Sequence, residues 1–198
     1  MPEMNGYDFC EAIRTDIKTS HIPIMMITAK SKVDNRISGI EKGADVYLEK
    51  PFDMKLVQQH LKQLIHSREV IYKKYFKSMG EIQDDTSVTS LDKAFVEKAV
   101  NYIHENITNP NLGVESLASH LNLSRSQLYR KVKGLTNQTA NEFIRNQRLQ
   151  IAKKLLENGN KDLTDVCSKV GISSTTYFSQ RFKDYFGIAP MDVQNNKA

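Results

Sequence analysis

The chain has 198 residues, a formal charge of +5 and two cysteines. Its length suits one domain or two, and Cys10 and Cys167 make neither a disulfide framework nor a metal-ligand cluster. No run nears the roughly 18 apolar residues that span a bilayer, and no signal-peptide pattern opens the chain, so a cytoplasmic protein is expected. The charge is uneven: residues 1–80 carry 13 basic and 10 acidic side chains, residues 81–92 four acidic and no basic, and residues 93–198 carry 15 basic and 9 acidic. A basic surplus at the carboxy-terminal end is what a phosphate-facing surface requires.

In chain order, Tyr7, Phe9, Cys10 and Ile13 predict a short helix after the Asn5-Gly6 turn. Ile22–Ile27 is a continuous apolar run of strand length, predicted to be buried on both faces. Val33, Ile37 and Ile40 recur at helical spacing, and Gly43 ends that helix. Asp45–Leu48 reads as a second strand, followed by Lys50-Pro51. From Asp53 a long helix carries Leu56, Val57, Leu61, Leu64 and Ile65, extending through Val70 and Ile71 toward Tyr75. This alternation predicts a parallel sheet flanked by helices. Two strands alone leave an exposed edge and face, which favours association.

Residues 78–92 are polar and acidic and read as a linker. Ser90 or Asp92 then caps a helix through Phe95, Val96, Ala99, Val100 and Ile103, ending before Pro110. Beyond it come two similar units. In the first, Leu117, Ala118 and Leu121 share a helical face, and Asn122 tolerates the left-handed backbone of a turn. Ser124 starts the next helix, with Gln127 completing a capping box. Leu128 and Val132 face inward, leaving Arg125, Ser126, Tyr129, Arg130 and Lys133 outward. In the second unit Leu163, Val166, Cys167 and Val170 form the apolar stripe, Gly171 turns the chain, and Ser173 or Ser174 caps a helix ended by Gly187 and Pro190. Phe178, Phe182, Tyr185 and Phe186 are spaced as core, and Tyr177 reads either way. Between the units Ala140–Asn158 shows a helical period through Phe143, Ile144, Leu149, Ala152, Leu155 and Leu156, stopped by Gly159. A helix of fixed length holds the two units at a fixed separation.

This order of elements resembles the DNA-binding domain of AraC-family transcription regulators. The residues that carry the resemblance are Ala118, Asn122-Leu123-Ser124-Arg125, Leu128-Tyr129-Arg130-Lys131 and Arg148-Leu149. They continue through Val170-Gly171-Ile172, Tyr177-Phe178-Ser179, Phe182-Lys183 and Phe186-Gly187-Ile188-Ala189-Pro190. Gln180 stands where that family usually has Arg, and Val193-Gln194 where Tyr-Arg is common. The first 77 residues resemble the second half of a response-regulator receiver domain. There Met1-Pro2-Glu3-Met4-Asn5-Gly6, Ile27-Thr28-Ala29, Gly43-Ala44-Asp45, Tyr47 and Leu48-Glu49-Lys50-Pro51-Phe52 match family motifs. The resemblance implies that Thr28, Tyr47 and Lys50 are switch residues, vestigial here, and that Lys50-Pro51 is cis. It also implies that the phosphoacceptor Asp and the magnesium-holding acidic pair would precede Met1, so the phosphoacceptor is absent from this chain. The chain then reads as the carboxy-terminal piece of a two-component regulator or hybrid sensor kinase.

The expected architecture is an incomplete α/β receiver over residues 1–77, a linker over 78–91, and an all-α domain with two helix-turn-helix motifs over 92–198. Within a recognition helix the outward residues are expected to meet DNA, although the same pattern on an arbitrary helix would be a solvated face. Base contacts are assigned to Ser126, Tyr129, Arg130, Thr175, Thr176, Ser179 and Gln180. Phosphate contacts are assigned to Arg125, Lys131, Lys133 and Lys183. The five histidines show no ligand spacing, and no nucleophile elbow or phosphate loop appears, so no enzyme, metal or cofactor is expected, magnesium belonging only to a complete receiver. Expected partners are double-stranded DNA, RNA polymerase, an upstream kinase or receiver segment, and a second copy of the chain. The rival readings are a receiver-type protein-interaction module and an enzyme with receiver-like phosphoryl chemistry, for which the chain shows no acceptor.

Overall fold

The computed structural model describes residues 4–29, 42–77, 90–109 and 111–193, with side chains through residue 66 in the second of these. The predicted helix around Val33, Ile37 and Ile40, most of the linker, and the side chains of Val70, Ile71 and Tyr75 lie outside the described residues, as do Met1-Pro2 and Gln194. The chain divides into two compact units. One comprises Met1–Val96 with Arg130–Asn137, and the other Glu97–Tyr129 with Gln138–Ala198.

The first unit opens with α1 (Gly6–Thr15), whose N-cap Asn5 accepts from the backbone N–H groups of Tyr7 and Asp8. Strands β1 (Met25–Thr28) and β2 (Val46–Glu49) pair in parallel, with Met25 opposite Val46 and Thr28 opposite Glu49. The strand starts later than the apolar run Ile22–Ile27 suggests, because the Ile24 N–H is taken by the Asp45 carboxylate and the ladder opens with Met25 opposite Val46. It is also not buried on both faces: Ile22 and Ile27 are exposed, since β2 is β1's only neighbour among the described residues. Arg14 ties α1 to the strands. Its guanidinium donates to the carbonyls of Gly43 (2.6 Å), Ser20 and Ile22 (both 2.8 Å) and pairs with Asp45. Asp45 in turn accepts from the backbone N–H of Ile24 at 2.7 Å. After the cis Lys50-Pro51 bond, α2 (Met54–Lys77) begins.

Helix α3 (Ser90–Glu105) crosses from the first unit into the second. The second unit is helical: α4 (Val114–His120), the start of α5 (Arg125–Thr136), α6 (Ala140–Glu157), α7 (Leu163–Lys169) and α8 (Thr175–Phe186). A short 3-10 turn at Pro190–Asp192 closes it. Helix α6 is the spine. Thr139 caps it through a reciprocal bond with Glu142, and α4, α7, α8 and the closing turn all pack on it. Leu149, Ala152, Leu156, Val166, Val170, Phe178 and Phe182 form one buried cluster at its carboxy-terminal half. Phe178, Phe182 and Phe186 succeed one another with ring centroids 5.5 and 4.6 Å apart. Tyr185, expected in the core, is instead exposed, with its hydroxyl accepting from Gln150 at 3.2 Å.

His104 marks a pH-sensitive joint in this unit. Its ring lies 3.4 Å from the buried Gln147 amide oxygen, and desolvation lowers its pKa below the ordinary histidine value despite that contact. The unfolded chain therefore takes up a proton before the folded one does. Stability is expected to be full above about pH 6.5 and to decline as pH falls toward the depressed folded value. Chemical denaturation between pH 8 and 5 checks this. A His104→Gln variant that loses stability just as steeply would assign the effect elsewhere.

Candidate nucleic-acid interface

Both helix-turn-helix units are built from local signals. In the first, α4 ends at Leu121, and Asn122 takes φ +54°. Ser124 and Gln127 then form the expected capping box: the Gln127 N–H donates to Ser124 Oγ at 3.2 Å, and the Ser124 N–H donates to Gln127 Oε1 at 2.8 Å. In the second, Asp162 caps α7, and Ser174, rather than Ser173, caps α8 by accepting from the Tyr177 N–H. Gly187 ends α8 in the left-handed conformation.

Gly171 makes the second turn, with φ +67°. A Cβ there would collide with the Ile107 carbonyl. Gly171→Ala is therefore strained in backbone and in space, and is expected to destabilise the fold by more than about 1 kcal/mol. Thermal unfolding checks it, and an unchanged midpoint would mean that the turn yields.

Leu128 and Val132 are fully buried beneath α5. Ser126, Tyr129, Arg130 and Lys133 are exposed, and their spacing places them on one face of the helix. Arg125 is exposed too, paired at 3.0 Å with Glu115, both side chains being 72% exposed. So exposed a pair contributes little and yields Arg125 readily to a competing anion. Lys133 Nζ donates to the Asn137 carbonyl at 2.8 Å.

On α8 the same pattern recurs. Thr176, Gln180 and Lys183 are exposed, and Thr175 and Ser179 half-buried. The Gln180 amide donates to Asp184 at 2.8 Å. Tyr177 is exposed, with the Arg181 guanidinium 5.5 Å from its ring centroid. Each helix therefore carries a polar outer face over a buried apolar stripe.

Lys131 is the exception and corrects the sequence reading. It was expected to reach phosphate, yet its side chain is 0% exposed. Its ammonium pairs with Asp92 at 2.6 Å, donates to Ser20 Oγ at 2.9 Å, and lies 5.0 Å from the Phe95 ring centroid. The Ser20 hydroxyl donates to the same Asp92 oxygen at 2.8 Å. The cause is helical register: Lys131 falls three residues after Leu128 and beside Val132, on the inward stripe. Asp92, weighed as a cap for α3, lies instead within its first turn.

Of the residues that the receiver resemblance singles out, Thr28 and Lys50 lie at one end of the small sheet and Tyr47 lies within β2, opposite Met26. Thr28 closes β1, and the Lys50 N–H donates to the Thr28 carbonyl at 2.8 Å. Tyr47 lies on β2 with its hydroxyl 3.4 Å from that of Tyr7. The magnesium of a complete receiver does not fit these groups, which offer a hydroxyl and an ammonium rather than anionic oxygens. Among the described residues no three His, Cys, Asp or Glu side chains cluster as metal ligands.

Comparison with known proteins agrees with both halves. Residues 117–196 match a helix-turn-helix domain family and residues 1–62 the response regulator receiver domain family. The chain is 34% identical over 195 residues to a protein named Histidine kinase P4 from Formosa agariphila, covering 98% of this chain and 14% of that protein. It is 34% identical over 122 residues to the Msm operon regulatory protein of Streptococcus mutans, covering 60% of this chain and 42% of that one. The chain thus spans well under two thirds of either relative. A solved transcriptional regulator with an AraC-type DNA-binding domain, from Chromobacterium violaceum, superposes with TM-score 0.51 at 25% identity, over 56% of this chain and 97% of that one. No helix among the described residues is long and apolar enough to cross a membrane. The chain thus matches the response regulator receiver domain family over residues 1–62 and a helix-turn-helix domain family over residues 117–196, the second half being similar to a solved AraC-type DNA-binding domain.

Proposed function

We propose that the chain binds duplex DNA in a sequence-specific way through the outer faces of α5 and α8, each set in a major groove, with the two grooves successive along one side of the duplex. The observation that carries this reading is the repeated face: Ser126, Tyr129, Arg130 and Lys133 on α5, and Thr176, Gln180 and Lys183 on α8, all exposed above apolar stripes. Arg130 and Gln180 have the donor geometry for guanine and adenine edges respectively, while Arg125, Lys133 and Lys183 suit phosphate. Rigid α6 sets the groove spacing or bends the DNA to match it. The proposal gives the protein a cytoplasmic place and no catalytic step of its own. An upstream kinase or receiver segment supplies the signal, and RNA polymerase and a second copy of the chain are the remaining partners. Receiver phosphorylation would pair two copies on adjacent half-sites.

The test is selection of bound duplexes from a random pool by the full chain, followed by titration at several salt concentrations. An enriched motif and an affinity that falls steeply with salt support the reading. Tight binding to no duplex would overturn it. The exposed apolar side chains of the first unit, among them Met4, Phe9, Ile22, Ile27, Met54 and Ile65, favour a second reading as a protein-interaction module. Self-association without DNA binding would support that one.

A further inference from the structure

Arg148 is the one side chain of α6 whose guanidinium ties the turn of the second helix-turn-helix to another segment of the same unit. It donates to the Gly171 carbonyl and, at 3.0 Å, to the Asn109 carbonyl in the segment after α3. Its Nε is buried without a partner, so the two terminal nitrogens hold the whole bridge. The Gly171 turn runs close against this anchor. A Cβ at Gly171 would lie 3.3 Å from the Arg148 guanidinium carbon, besides meeting the Ile107 carbonyl. Ser174, three residues on, caps α8. The backbone that launches α8 is therefore fixed by two carbonyls held on one planar fork, and by a glycine that lets the chain approach it closely.

We propose that Arg148 is a positioning residue for the second recognition helix: its fork spans the Asn109 and Gly171 carbonyls and so sets the angle at which α8 leaves its turn. Lysine does not reproduce this geometry, because its compact ammonium lacks the planar, preorganised fork whose separate nitrogens reach the two carbonyls. Arg148 does not touch DNA in this scheme. It acts on the reading done by Thr176, Gln180 and Lys183, whereas the turn before α5 is made by Asn122 and the Ser124–Gln127 capping box.

The inference rests on the proposed DNA binding, and the experiment separates the two. A duplex selected by the wild-type full chain is footprinted with hydroxyl radicals, alongside Arg148→Lys and the graded Arg148→Gln. Hydrogen exchange is followed over residues 125–133 and 171–178. Wild-type protection should appear as two patches. Both variants are expected to lose the α8 patch, to keep the α5 patch, to bind about tenfold more weakly, and to exchange faster at 171–178 alone. Equal weakening of both patches, faster exchange in both segments, unfolding of both variants, or no change in either would overturn the positioning role. A wild-type chain that protects no duplex would instead remove the DNA-binding reading, while the exchange arm still reports whether Arg148 fixes the turn.

Discussion

Replacing Asp92 by alanine is expected to destabilise the folded chain by about 3–5 kcal/mol, the cost of leaving one partner of a buried ion pair without the other. The Lys131 side chain is 0% and the Asp92 side chain 1% exposed. Without the carboxylate the ammonium keeps only the Ser20 hydroxyl and the Phe95 ring from the interactions described above. Neither neutralises a charge removed from water. Lys131→Met should cost less. It removes the charge and fits the apolar stripe of Leu128 and Val132, while Asp92 keeps the Ser20 hydroxyl and the favourable end of the α3 dipole. The double variant Asp92→Asn with Lys131→Met is expected to recover much of the loss, since a neutral pair carries no uncompensated charge. Urea titrations of the three variants, followed by far-ultraviolet dichroism, measure this order. An Asp92→Ala midpoint equal to wild type would show that water reaches the pair and that the ammonium is not buried in solution. A buried Lys131 also cannot release a counterion, so Lys131→Met should leave the salt dependence of DNA binding as it was, whereas losing a proposed phosphate contact such as Lys133 should reduce the slope by about one.

The sequence makes this pair hard to see, and the reason is distance along the chain. Capping signals are local: Ser124 with Gln127, Asn122 at its turn, and Gly171 and Gly187 at theirs are each legible within four residues, and all are found in those roles. Helical stripes are legible over one or two turns, which is why Leu128, Val132, Val166, Val170, Phe178 and Phe182 are buried as expected. The Lys131–Asp92–Ser20 node joins residues 39 and 111 positions apart. Only the three-residue step from Leu128 hinted at it, and a charged side chain masks that hint. Strand limits depend in the same way on a partner: β1 begins at Met25 because its ladder begins opposite Val46, which the apolar run around Pro23 does not reveal. Arg148 reads as one more basic residue of a linker helix until Asn109 and Gly171 are brought to it.

Arg130→Ala is expected to cost about 1–3 kcal/mol in DNA affinity, or about 5- to 150-fold in Kd, and to relax preference at one base pair. The expectation follows from position and chemistry together. Arg130 lies on the outer face of α5 between the inward Leu128 and Lys131, with Ser126 one turn before it and Lys133 nearly one turn after. Its guanidinium can donate twice in a plane, which matches guanine O6 and N7 and no other single base edge so well. Arg125 has the same chemistry but a different place: it opens the helix and is shared with Glu115, which suits a phosphate beside the groove. The two arginines should therefore fail differently. Arg125→Ala should weaken every duplex alike and lower the salt slope, whereas Arg130→Ala should leave binding to nonspecific duplex almost unchanged while cutting affinity for the selected motif. Measuring both variants on the selected motif, on each of its single-base variants and on nonspecific duplex separates the cases. If Arg130→Ala weakens all of them equally, Arg130 touches phosphate, and sequence reading by this helix falls to Ser126 and Tyr129.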